Sequence, residues 1–193
     1  MKLNDTSRKI MEVALELFSE KGYYSTTTKQ IAQEAGVNEL TIFRHFGSKS
    51  NLFQMVTEQV VVASQAEEIL HSTGHLNFEN AMPLITQRIY ELYLANKKLY
   101  KVQMKLADDE TDFVRLLLSR KFIEILEVYF AKLKAEGTVL GEPKLMARTL
   151  INSLLGTITV EVLGDASMQE FSWEVLVKEQ TRQFICVYQA PAS

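Results

Sequence analysis

The sequence predicts an all-α protein, with a three-helix head at the N-terminus and a larger helical body, about nine helices in all. Three observations carry that expectation. Glycine and proline are scarce, at 8 and 3 of 193 residues, about half of the ~12% that the two residues average together. Apolar residues recur at the three- and four-residue spacing of helix faces, and no stretch alternates with period two for long enough to form a sheet. The stretch from Leu84 to Glu136 contains neither breaker. Turn-rich β folds, disordered linkers and collagen-like repeats are excluded on the same grounds.

Each element has its own signals. Ile10, Val13, Ala14, Leu17 and Phe18 follow the i, i+3, i+4, i+7, i+8 spacing of one buried face. Glu12, Glu16 and Glu20 lie off that stripe, with Asp5 or Thr6 as a cap and Gly22 as the stop. Thr27 followed by Gln30 fits a capping box at the head of a short helix through Ile31, Ala32 and Ala35, which Gly36 ends. Asn38 caps a second short helix through Leu40–Phe46, and Gly47 ends it. Ser48 caps a longer one, over about 49–70. Five more helices follow, over about 79–95, 97–107, 112–135, 143–164 and 173–189. Asn77, Pro143 and Ser172 mark starts, and Gly137 and Gly164 mark stops. The expected domains are residues 1–50 and 51–193.

Composition narrows the function. The longest unbroken apolar run is five residues, Phe184–Tyr188, where a membrane span needs about 20. Charged and apolar residues alternate from Lys2 to Lys21, unlike a secretory signal. With one cysteine, Cys186, neither an internal disulfide nor a cysteine-based zinc site can form, and a reducing cytoplasm is the expected address. No phosphate-cradling loop, nucleophile elbow or HExxH motif appears, so neither an enzyme nor a cofactor is expected. Glu67, His71 and His75 have the four-residue spacing of helical metal ligands, but Gly74 should break that helix first, and no metal is expected.

The two short helices joined at Gly36–Val37–Asn38–Glu39 have the pattern of a helix-turn-helix. Ile31, Ala32, Val37, Ile42 and Phe46 can share a small core with the first helix. The second short helix then turns Glu39, Leu40, Thr41, Phe43, Arg44 and His45 outward, and such a helix fits a major groove about 12 Å wide. Arg44 can bond a guanine or a phosphate, Thr41 a thymine methyl or a phosphate, and Glu39 a cytosine amine. Lys29, Lys49 and the helix start at Thr26–Thr28 are phosphate-positioning groups. An ordinary solvated three-helix cap is the competing reading. The net charge of −3, with +1 on residues 1–53 and −4 on the remainder, is far from the basic face of most nucleic-acid binders.

The run TTTKQIAQEAGVNELTIFRHFGSKSNLF, Thr26 to Phe53, preceded by LFSEKGYYS, strongly resembles the TetR family of bacterial transcription regulators. The resemblance covers about residues 6–56, roughly a quarter of the chain. It implies a DNA-binding head, a variable ligand-binding body and a homodimer on a palindromic double-stranded operator. It further implies phosphate contacts for Thr27 and Thr28. Glu39, Thr41 and Arg44 become groove residues, His45 and Lys49 become backbone contacts, and Asn38 stands where the family often has Ser. Leu40 replaces a small residue, so contact there turns apolar, as with a thymine methyl. Phe43 replaces the commonest Tyr and lacks its phosphate-bonding hydroxyl.

The body offers a pocket and an interface. Gln87, Tyr90, Tyr93, Asn96, Tyr100 and Gln103 punctuate an apolar periodicity, and Met104, Phe113, Leu117 and Phe122 can line the same space. Apolar walls with a few polar groups suit an unidentified, largely apolar small-molecule effector. Ser153, Leu154, Gly156, Thr157 and Val160 form a close-packing helix face. Trp173, Leu176, Gln180, Phe184 and Val187 form an apolar face on the terminal helix. The resemblance implies that both faces pair with their copies in a dimer. The expected protein is thus a ligand-responsive DNA-binding regulator, a repressor released from its operator by an inducer. The alternative is a helical interaction module or small-molecule binder that does not act through DNA.

Overall fold

The computed structural model describes residues 4–60, 63–104, 117–164 and 170–191, without the side chains of 58–60, 63–66, 103, 117 and 118. Ten helices lie among the described residues: α1 (Asp5–Lys21), α2 (Thr28–Ala35), α3 (Glu39–Phe46), α4 (Lys49–Val60), α5 (Ala63–Thr73), α6 (Phe78–Ala95), α7 (Lys97–Met104), α8 (Leu117–Ala135), α9 (Pro143–Leu163) and α10 (Trp173–Tyr188). The helix expected over 49–70 is described as α4 and α5, and residues 61 and 62 between them lie outside the described residues. Among the described residues, no helix is long and apolar enough to cross a membrane. The chain divides into two compact units, one of residues 1–62 with 96–117, the other of 63–95 with 118–193. The first unit thus reaches beyond residue 50 and takes in α7.

The first unit is built on the stripe of α1. Ile10, Ala14, Leu17 and Phe18 are buried against Ile31, Ala32 and Ala35 of α2, Ile42 and Phe46 of α3, and Leu52, Phe53 and Val56 of α4. Val102 of α7 joins the same core. Burial of each large side chain here is worth about 1.5–3 kcal/mol. Phe18 and Phe53 meet edge to face, with ring centroids 5.2 Å apart, the geometry that aromatic quadrupoles prefer. Asn4, rather than Asp5 or Thr6, caps α1 by accepting from the Ser7 amide at 2.8 Å.

In the second unit, α6, α8, α9 and α10 enclose an apolar core that includes Met82, Ile85, Phe122, Phe130, Leu150, Leu154 and Phe184. Thr86 of α6 and Thr181 of α10 share a buried hydroxyl–hydroxyl bond of 2.8 Å. A short antiparallel bridge between Val139 and Gln189 fastens the end of α10 to the turn after α8.

Candidate nucleic-acid interface and effector groove

The joint between α2 and α3 is set by backbone chemistry. Thr27 Oγ1 accepts from the Gln30 amide at 3.2 Å, and Gln30 Oε1 accepts from the Thr27 amide at 2.9 Å, completing the capping box. Gly36 then turns in the left-handed region, at φ +67°, which costs a glycine little. Asn38 Oδ1 accepts from the Leu40 amide at 2.9 Å and starts α3. Ile42 and Phe46 pin α3 to the core, so its other face looks outward: Leu40 is 74% exposed, Phe43 44%, and Arg44 is exposed. Thr41 is half-buried beside them. Lys29 on α2 is exposed, and neither it nor Arg44 has a side-chain partner among the described residues.

Several expected phosphate contacts have inward work instead. Lys49 Nζ donates to the carbonyls of Tyr23 at 2.9 Å and Thr26 at 3.0 Å, and stands 4.2 Å over the Tyr23 ring. Burial pushes its pKa down from 10.5. The Thr26 hydroxyl is buried and donates toward the carbonyls of Gly22 at 2.8 Å and Leu17 at 3.2 Å, so it does not face outward with Thr27. Thr28 Oγ1 donates to Glu39 Oε1 at 2.6 Å. Its proton is committed to a carboxylate rather than held ready for a phosphate. Thr27 Oγ1 only accepts within the capping box, so its proton stays free to donate. His45 Nδ1 lies 2.9 Å from the buried Ser7 hydroxyl of α1, which leaves the other ring nitrogen for an outside partner.

The expected pocket residues are divided between the two units. Asn96, Tyr100 and Met104 belong to the first unit, and Gln87, Tyr90, Tyr93 and Phe122 to the second. Tyr93 is buried, with its hydroxyl 2.7 Å from Ser119 Oγ and its ring stacked on Phe122. Tyr90 is fully buried and stacks on Trp173 at 4.4 Å, with no partner for its hydroxyl among the described residues. Burial, and then the carboxylates of Glu161 and Glu174, hold the Tyr90 pKa well above the usual phenol value. Phe113 and the side chains of Gln103 and Leu117 lie outside the described residues.

A groove of about 800 Å³ lies between α6 and α10. Pro83, Thr86 and Gln87 line one side, and Trp173, Val177 and Thr181 line the other. Of the residues expected in the pocket, only Gln87 lines this groove, together with Trp173, which the sequence assigns to the dimer face. The remaining interface residues divide. Leu154, Thr157 and Phe184 are buried within the protomer, Phe184 beside Phe78, Phe130 and Tyr188. Gly156 and Val187 are exposed, and Ser153, Val160, Leu176 and Gln180 are half-buried. Gln180 Nε2 donates to Thr157 Oγ1 at 3.0 Å, while its buried Oε1 has no partner among the described residues. No group of three or more histidine, cysteine or acidic side chains able to hold a metal occurs among the described residues.

Comparison with known proteins places this geometry in a family. The family model described as "Bacterial regulatory proteins, tetR family" matches residues 10–56. The HTH-type transcriptional regulator YvkB of Bacillus subtilis is 42% identical over 57 residues, which span 30% of this chain and 30% of that protein. The fold extends further than the sequence likeness. The fatty acid degradation regulator FadR of Bacillus halodurans superposes with a TM-score of 0.74 at 18% identity, over 92% of this chain and 97% of that one. The transcriptional regulator FadR of Bacillus subtilis, solved in complex with stearoyl-CoA, gives 0.75 at 16% identity over the same shares. From the capped helix-turn-helix and its matched segment, residues 10–56 form the DNA-binding segment of the TetR family of bacterial regulatory proteins.

Proposed function

We propose that this protein is a ligand-responsive repressor, which binds a palindromic double-stranded operator as a homodimer and leaves it when a small, largely apolar effector binds the body. The observation that carries the reading is α3, pinned by Ile42 and Phe46 with Leu40, Phe43 and Arg44 exposed on its far side. Two such helices must sit about 34–36 Å apart to enter successive major grooves. An effector that prefers a different spacing shifts the population away from the DNA-bound state by its differential affinity alone.

The dimer is supported by exposed Gly156, Leu163 and Val187 on α9 and α10. The effector is supported by the α6–α10 groove, whose volume of about 800 Å³ lies within the ~300–1,000 Å³ of small-molecule sites. The acyl-CoA bound by the similarly folded FadR of Bacillus subtilis makes long-chain acyl-CoA the first effector to try.

The test is fluorescence anisotropy with duplexes from the region upstream of the protein's own gene. Tight, sequence-specific and salt-sensitive binding that acyl-CoA reverses is the expected result. Binding that ignores sequence, or none, favours the alternative of a head that docks another protein, for which its charge of only +1 over residues 1–53 speaks.

A further inference from the structure

Exposed apolar side chains scattered singly need no explanation. Leu40 and Phe43 are not scattered: they lie three residues apart on the outward side of α3, where Arg44 is their cationic neighbour. Glu39 and Leu40 are the first two residues of that helix. Helix-turn-helix proteins touch base edges with the N-terminal residues of this helix. The bond from Thr28 Oγ1 holds Glu39 by one carboxylate oxygen, and its Oε2 has no partner among the described residues. A carboxylate only accepts. In the major groove, guanine O6 and N7 and thymine O4 repel it, while the cytosine N4 amine donates to it. Tethering by Thr28 also stops the charge swinging toward the phosphates.

We propose that α3 reads its half-site through thymine methyls and a cytosine amine. Leu40 and Phe43 pack on thymine C5 methyl groups, and Glu39, positioned by Thr28, accepts from cytosine N4. This rests on the DNA-binding reading above and adds the base chemistry to it.

The full chain is used to select duplexes from a random library. The selected half-site is then remade with deoxyuridine for each thymidine in turn, a change that deletes only the methyl. The expected half-site carries thymines beside a cytosine. Uracil at a contacted position weakens binding about fourfold, the scale of one buried methylene-sized group. Leu40→Ala and Phe43→Ala each abolish that difference at their own thymine. Glu39→Gln moves the cytosine preference toward adenine, because an amide both donates and accepts. Thr28→Val blurs the same base pair and no other. Uracil duplexes that bind like thymine ones, a methyl effect that survives both alanine variants, or an unchanged cytosine preference in Glu39→Gln would overturn the proposal while leaving DNA binding intact. A library that yields no preferred duplex would end the DNA-binding reading and this inference together.

Discussion

The Lys49 ammonium stands 4.2 Å above the Tyr23 ring and holds the carbonyls of Tyr23 and Thr26. A cation at the foot of a DNA-binding head is thereby turned into a brace for the loop that leads into α2. Replacing Lys49 by Met removes the ammonium donor from the Thr26 carbonyl and leaves the Tyr23 carbonyl only the Thr26 amide, and should lower stability by about 1–3 kcal/mol, read by urea denaturation. The salt slope of DNA binding should not change. A slope that falls by about one in Lys49→Met would return the residue to phosphate binding.

Arg44 is exposed on α3 without a partner among the described residues, so its role should be the reverse. Arg44→Ala should leave the melting temperature alone and weaken operator binding. If its contact is a phosphate, the slope of log K against log salt drops by about 0.9. If it is a guanine, Arg44→Lys loses discrimination at one base pair while keeping the slope. Titrations at four salt concentrations separate the two.

Phe184 sits beside Phe78, Phe130 and Tyr188 inside one protomer. Phe184→Ala should cost about 3–5 kcal/mol of folding stability. Val187, 69% exposed on the same helix, has no such duty. Val187→Glu should keep the helical content and shift sedimentation toward monomer. If Phe184→Ala changed only the association state, the assignment of Phe184 to the protomer core would be wrong.

Hydrogen bonds from Arg182 and Gln183 hold the exposed Glu179 carboxyl down from 4.5 to about 2. A depressed folded-state value stabilises above the unfolded value and is lost as pH falls through the folded one. The melting temperature of the wild type should therefore exceed that of Glu179→Gln at pH 6. The gap should close between about pH 4.5 and pH 2. Because the pair is exposed, high salt should shrink it as well.

Gly36 turns at φ +67° between α2 and α3, with room for a Cβ. Gly36→Ala should then cost only the left-handed backbone penalty, about 1–2 kcal/mol. Thermal unfolding monitored by circular dichroism measures it.

The parts of the head that could be read in the sequence are those with a local cause. The stripe Ile10–Ala14–Leu17–Phe18 packs as its spacing requires, and Thr27 and Gln30 form both bonds of the capping box. Contacts across the chain left no such pattern. Ser7 meets His45 from 38 residues away, and Lys49 reaches Tyr23 from 26. In the body, the apolar stripe on α10 announces burial but not which neighbour supplies it. Phe184 could therefore be assigned to a partner copy when its own protomer already encloses it. The groove has no local signature, because its two walls are 95 residues apart at Thr86 and Thr181.

That hydroxyl pair has a mechanical consequence. Methyl contacts let two rods slide over one another at little expense, whereas a hydrogen bond weakens steeply with misalignment. Riveted at Thr86 and Thr181, the slot between α6 and α10 is held at one width; for the effector proposed above, this predicts selection by thickness rather than by a wall that moulds itself around its guest.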